Sequence, residues 1–147
     1  MFLDEFFGNS ILQSVFFAYI LAGILKILFN YFGTDKVDIK MLFRTGGMPS
    51  SHTATVSAMT ASIYLLEGVS NLFVVSFIIS MVIISDAIGI RRSAGKQAKI
   101  LNEIIDEYAY SGKFKTKKLY ELLGHTPKQV FGGLILGIGV SFLVASF

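Results

Sequence analysis

The sequence predicts an all-α fold, an integral membrane helical bundle of about four transmembrane helices with a cytoplasmic helical extension of the third. Three observations predict it. The 147-residue chain is 53% hydrophobic, with 14 Phe, more apolar side chain than a water-soluble domain of this length readily hides. The apolar residues fall into blocks, at roughly 10–32, 51–66, 71–90 and 130–147, each approaching the ~20 residues that cross a bilayer. Lys and Arg gather in two of the connections, 33–50 and 91–128.

The first block carries Asp4 and Glu5 ahead of it and no Lys or Arg. That does not read as a signal peptide, so it is expected to remain as a span. The first and third blocks are apolar all round, as spans or fully buried helices are. The second is short and rich in Ala, Ser and Thr, so its neighbours must shield it. With four spans, both basic connections fall on one side of the membrane. The positive-inside rule makes that side cytoplasmic and both termini external. The chain reads as one domain, 1–147, with 91–128 as its cytoplasmic segment. The absence of Cys rules out disulfides and thiolate metal sites.

Two polar stretches stand at helix starts on the basic side. "GGMPSSHTA" (Gly46 to Ala54) opens the second block and "GHTPKQVFGG" (Gly124 to Gly133) opens the fourth. Ser50 or Ser51 is a natural N-cap for the second span. Thr126, Pro127 and Gln129 read as an N-cap, N1 proline and capping-box partner for the fourth. A helix start offers unpaired N–H groups and the positive end of the helix dipole, which together suit an anion. Gly46 and Gly47 let backbone approach a ligand closely. The only two histidines, His52 and His125, occupy matched places at these starts. Small residues at Ala54, Ala58, Ala61 and Ser62, and the GxxxG pair Gly133 and Gly137, predict close packing of the two helices. That packing would bring His52 and His125 together.

The third block adds Asp86 near its cytoplasmic end, and a carboxylate at membrane depth is a functional candidate by default. On a continuing helix Asp86, Ser93 and Gln97 share a face, with Arg92, Lys96 and Lys99 beside it. An ion pair between Asp86 and a neighbouring base is the structural alternative. Lys26 is expected to snorkel to the inner interface, with reaching into the site as the lesser alternative. Residues 111–121 read as a solvated loop and short helix. No cofactor, metal or nucleic acid is expected; the expected partners are the membrane and an anionic lipid. Four spans are few to enclose a lipid site, and a homodimer would close it.

Together "GGMPSSHTA", "DAIGIRRSAGKQAKILN" and "GHTPKQVFGG" resemble the divergent branch of the type 2 phosphatidic acid phosphatase superfamily, relatives of acid phosphatases and vanadium-dependent haloperoxidases. The resemblance covers about Lys40 to Gly139. It implies a metal-independent membrane phosphatase acting on a phospholipid or polyprenyl phosphate at the cytoplasmic face. Pro49, Ser50, Ser51 and His52 match a motif that supplies a phosphate-binding Ser and a general-acid His, with Ser51 where Gly is usual. Lys40 and Arg44 correspond to an upstream phosphate-binding pair at shorter spacing, with Gly47 beside them. His125 matches the nucleophile. The family's Asp four residues later is Gln129 here, and its Ser-Arg before that His is missing. Asp86, with Arg91 or Arg92, is expected to replace these groups. The alternative is a non-catalytic protein that binds or transports an anionic head group.

Overall fold

The computed structural model describes residues 2–35, 37–42, 46–110, 118–119, 121 and 123–147. Described residues form six helices, α1 (Phe2–Gly8), α2 (Ser10–Thr34), α3 (Ser51–Glu67), α4 (Asn71–Ile88), α5 (Ile90–Tyr110) and α6 (Pro127–Ala145), with a 3-10 turn at Ile39–Leu42. No strand occurs among them.

Three helical runs are long and apolar enough to cross a membrane: Ser10–Thr34, Asn71–Glu107 and Pro127–Ala145. Their outward faces carry exposed Phe16, Phe17 and Ile24 on α2, Val75, Ile78 and Ile79 on α4, and Phe131 and Ile135 on α6. Lipid is the solvent that accepts such faces. The second block is different. At 17 residues, α3 is about 25 Å long at 1.5 Å per residue, short of the roughly 30 Å hydrocarbon core. It packs against α2, α4 and α6 and buries Ser51, Thr53, Ala54, Val56, Ser57, Ala58, Thr60, Ser62 and Ile63. A helix surrounded by others needs no lipid-facing apolar surface, which accounts for its small and polar composition.

The core is narrow. Ala18, Ala22, Ala54, Ala58 and Val140 form its buried cluster, with Leu136 and Val144 against it. Small side chains bring backbones close, and the helices are then joined by hydroxyls. Ser141 Oγ donates to the Ala58 carbonyl at 2.8 Å. Thr60 and Ser80 hydroxyls share a 2.8 Å hydrogen bond between α3 and α4, and Ser80 also donates to the Val56 carbonyl. Where neither lipid nor core supplies a hydrophobic gradient, such bonds and close van der Waals contact hold helices together. The closest approach is between α3 and α6. A Cβ on Gly133 would meet the Thr53 side chain at 3.0 Å, and one on Gly137 would meet the Ala58 nitrogen at 2.8 Å.

Two features differ from the sequence reading. A seven-residue helix, α1, precedes the first span. The third span does not continue in phase into the cytoplasmic helix: Gly89, at φ −90° and ψ −89°, separates α4 from α5. The face expected to unite Asp86, Ser93 and Gln97 is therefore broken, because it assumed unbroken helical rotation.

Candidate active site

The C-terminal end of α4, the starts of α3 and α6, and the Lys26 stretch of α2 meet at one end of the bundle. Main-chain hydrogen bonds fix the meeting. The Ser50 N–H donates to the Gln129 carbonyl at 2.9 Å, tying the start of α3 to the first turn of α6. The His125 N–H donates to the Ala87 carbonyl at 3.0 Å, tying the approach to α6 to the end of α4. Gly124, at φ 81°, sits so close to the α5 backbone that a Cβ would collide with Arg92 nitrogen and Arg91 carbonyl carbon.

Both helix starts are capped. Ser50, fully buried, is the α3 cap; its Oγ accepts the Thr53 N–H at 3.3 Å and the Thr53 hydroxyl at 3.1 Å. Ser51, also buried, is the first helical residue, so the choice between the two serines resolves to Ser50 as cap. The Ala54 N–H closes on the Ser50 carbonyl. The N–H groups of Ser51 and His52 lie in the turn where a helix offers no acceptor of its own. At α6 the capping box forms as expected, with the Thr126 N–H donating to Gln129 Oε1 at 3.0 Å and the Gln129 N–H to Thr126 Oγ1 at 3.4 Å.

The two histidines come together. Their ring centroids are 6.2 Å apart in an edge-to-face arrangement. Both line a cavity of about 350 Å³ with Val82, Ile83, Asp86, Ala87, Arg91 and Gly124, a size typical of small-ligand sites. His52 is exposed toward it and His125 is buried. His125 Nδ1 lies 3.3 Å from Gln129 Oε1, which only accepts, so the bond assigns the ring hydrogen to Nδ1. Nε2 is then the lone-pair nitrogen; it is buried and has no hydrogen-bond partner among the described residues. Burial pushes the His125 imidazole down to about 4; Gln129 opposes the shift, and the charges of Lys26, His52 and Arg91 reinforce it. At neutral pH the ring is therefore uncharged.

Asp86 Oδ2 accepts from Arg91 Nε at 2.5 Å. The ion pair named as the structural alternative for Asp86 thus forms, and both of its members line the cavity. Arg91, and not Arg92, lines the cavity; Arg92 offers its main chain to Gly124. Gly47, at φ 81°, faces the Lys26 stem, where a Cβ would lie 3.6 Å from Lys26 Cγ. Lys26 itself is only 2% exposed. It does not snorkel outward as expected, because the loop through Gly47 folds over it, and its charge acts on His125. Lys40 lies in the 3-10 turn, with its side chain outside the described residues, and Arg44 lies outside them altogether.

One further residue was not picked out from the sequence, Asn102: its Nδ2 donates to the Leu119 carbonyl and to Glu121 Oε1, and its Oδ1 accepts the Leu119 N–H, each at 2.8 Å. It holds the segment leading to His125 against α5. The signal was present as a small-residue stripe, Gly95, Ala98 and Asn102, at helical spacing.

Beside the cavity an apolar groove of about 420 Å³ runs between α3, α4 and α6, lined by Tyr64, Phe73, Phe77, Met81, Ile84, Leu134, Ile138 and Phe142 among others. Residues 81 and 84 of α4 face the groove and 82, 83, 86 and 87 the cavity.

These features define a multi-pass helical membrane protein with a paired-histidine cavity at one end of its bundle. Residues 7–140 match the family described as divergent PAP2, and the chain belongs to it. A Bacillus subtilis (strain 168) protein named as the uncharacterized membrane protein YuiD is 37% identical, over 97% of this chain and 98% of its own. No solved structure matches.

Proposed function

We propose that this protein is a membrane phosphatase that hydrolyses a lipid phosphate or pyrophosphate at the cytoplasmic face through a histidine nucleophile. The observation that carries the reading is the His52–His125 pair lining one cavity with Asp86 and Arg91, in a chain of the divergent PAP2 family. In this reading α3 crosses the membrane as a fourth, enclosed span, and the cavity opens on the basic side.

The chemistry needs positioning and charge neutralisation above all. Arg91, Lys26 and the first-turn N–H groups of Ser51 and His52 neutralise the phosphate oxygens. Lys40 and Arg44 are assigned to the same task by the family resemblance. Ser50 contributes through the helix it caps and Ser51 through its N–H. Neutral His125 attacks phosphorus through Nε2 while Nδ1–H stays on Gln129 Oε1. As the N–P bond forms, the P–O bond to the leaving group breaks, and protonated His52 gives its proton to the departing oxygen. Water then attacks the phosphohistidine, His52 takes a proton from it, and phosphate and the free imidazole are released. Asp86 holds Arg91 in the wall, and the neighbouring apolar groove receives the hydrocarbon chain.

A specific observation favours a second reading, binding without turnover. Gln129 is neutral and its Oε1 is shared between His125 and the Thr126 N–H, so it stabilises an imidazolium less than a carboxylate would. The test is phosphate release by purified protein from phosphatidic acid, phosphatidylglycerophosphate and polyprenyl pyrophosphate, beside His125→Ala and with vanadate. Turnover lost in both arms supports the hydrolase. No turnover, with phosphate ligands still raising the melting temperature, supports the binding protein.

A further inference from the structure

Helix α5 uses one face and leaves another bare. Leu119, Glu121 and Leu123 of the returning segment lie on the Gly95 and Asn102 side: Ala98 and Asn102 are buried, Asn102 bonds Leu119 and Glu121, and a Cβ on Gly95 would meet the Glu121 carbonyl at 2.6 Å and the Leu123 carbonyl at 2.9 Å. Roughly a third of a turn away lie Ile90, Leu101 and Ile104, which share a face at helical spacing and are 74%, 47% and 45% exposed. Lys96, Lys99 and Glu103 project from the opposite side and are exposed. From Ile90 to Lys99 the helix carries Arg91, Arg92, Lys96 and Lys99 and no acidic residue.

We propose that this bare face lies in the head-group layer of the membrane from which α4 emerges, making α5 an interfacial helix on anionic lipid. Three observations commit the face to lipid. It begins at Ile90, 74% exposed, one residue beyond a helix whose Val75, Ile78 and Ile79 are exposed as a lipid-facing surface requires. The helix cannot leave the bilayer's vicinity, because α4 anchors it one residue away, and a short tether gives a weak surface a high effective concentration. Its basic residues are concentrated in the membrane-proximal half, where anionic head groups attract Lys and Arg, and an apolar face opposite a charged one is the pattern of helices that lie in the interface. Gly89 supplies the bend such a course requires. The returning segment, and with it His125, would then sit at head-group depth.

The chain has no Trp, so one introduced indole reports one position. Leu101→Trp, Ile104→Trp and Glu103→Trp are placed in vesicles of zwitterionic lipid with and without phosphatidylglycerol. Quenching by bromine-labelled acyl chains and by aqueous iodide is compared. Leu101→Trp and Ile104→Trp should be blue-shifted, quenched by the labelled lipid, and several-fold less sensitive to iodide than Glu103→Trp. Neutralising Lys96 and Lys99 to Gln should raise iodide access at Leu101→Trp in the anionic vesicles. Equal iodide access on both faces overturns the proposal in favour of a solvated helix. Shielding from both quenchers overturns it in favour of a protein cover, such as a second copy. Two apolar-face positions are read so that one poorly folded variant leaves the other to decide. The readout needs no turnover and stands or falls apart from the hydrolase reading.

Discussion

The packing of α3 on α6 makes a sharp prediction about two glycines on opposite faces of α6. Gly137 faces α3, where a Cβ would lie 2.8 Å from the Ala58 nitrogen and nearer still to the Ala54 carbonyl oxygen and Ser57 Oγ; at Gly139 a Cβ meets nothing within 4 Å. Gly→Ala in a helix is intrinsically favourable by about 0.5–1 kcal/mol, and that gain should be visible at Gly139. At Gly137 two of the colliding atoms belong to backbone, which cannot rotate away, so the helices must separate. Overpacking of this kind costs typically about 1–3 kcal/mol. Separation also stretches the Ser141–Ala58 bond, now 2.8 Å. Gly137→Ala should therefore be destabilised by about 1–2 kcal/mol net and Gly139→Ala stabilised by about 0.5–1 kcal/mol, a gap of roughly 1.5–3 kcal/mol. Thermal unfolding of both variants in one detergent reads the gap directly. Equal melting temperatures would refute the α3–α6 contact as the close seam of the bundle.

Three further outcomes follow from the site. With its pKa lowered to about 4, folded His125 binds fewer protons than the unfolded chain between about pH 4 and the ordinary value of 6.5. Stability should rise with pH across that window. The contribution is complete above about 6.5 and lost toward 4, at most roughly 3 kcal/mol, and His125→Gln should flatten that slope in melting curves taken from pH 4 to 8. Asn102→Ala removes the hydrogen bonds that hold Leu119 and Glu121, at about 1–3 kcal/mol for groups left unsatisfied; hydrogen exchange should show the returning segment loosening before the spans. Gln129→Ala deletes the acceptor of both the Thr126 N–H and His125 Nδ1, and should cost about 1 kcal/mol in capping, read as a lower melting temperature, while leaving the Ser50–Gln129 main-chain bond in place.

The sequence made the bundle and the histidine pair legible because both rest on local chemistry. Apolar blocks announce helices in lipid, the Thr126–Gln129 box announces a helix start, and Gly133 with Gly137 announces where two helices touch. What stayed hidden depends on how the chain folds back. Lys26 looks like any Lys near a span end; its burial comes from Gly47 closing over it. The break at Gly89 escaped because a glycine between apolar and basic runs is compatible with a continuous helix. Residues 111–121 looked solvated because Lys is frequent there, yet within them Leu119 and Glu121 are held on Asn102, and the Glu121 carbonyl lies against Gly95. The expectation for 111–117 lies outside the described residues.

The division of labour within the site follows from these contacts. His52 and His125 are remote in sequence, yet neither is placed by a partner side chain from the other helix. Main-chain bonds from Ser50 to Gln129 and from His125 to Ala87, together with glycine contacts at positions 124, 133 and 137, set their approach. Side chains then adjust charge: Gln129 fixes one ring nitrogen, and Lys26 and Arg91 supply positive potential. Placement and reactivity are thus separable. Substitutions at Gln129, Asp86 or Arg91 should alter ligand affinity or turnover with the histidine pair still in register, whereas an added methyl at Gly133 or Gly137 should pull the pair apart with every polar side chain of the site intact. A distance measured between spin labels on the first turns of α3 and α6 distinguishes the two kinds of damage, since only the glycine variants should lengthen it.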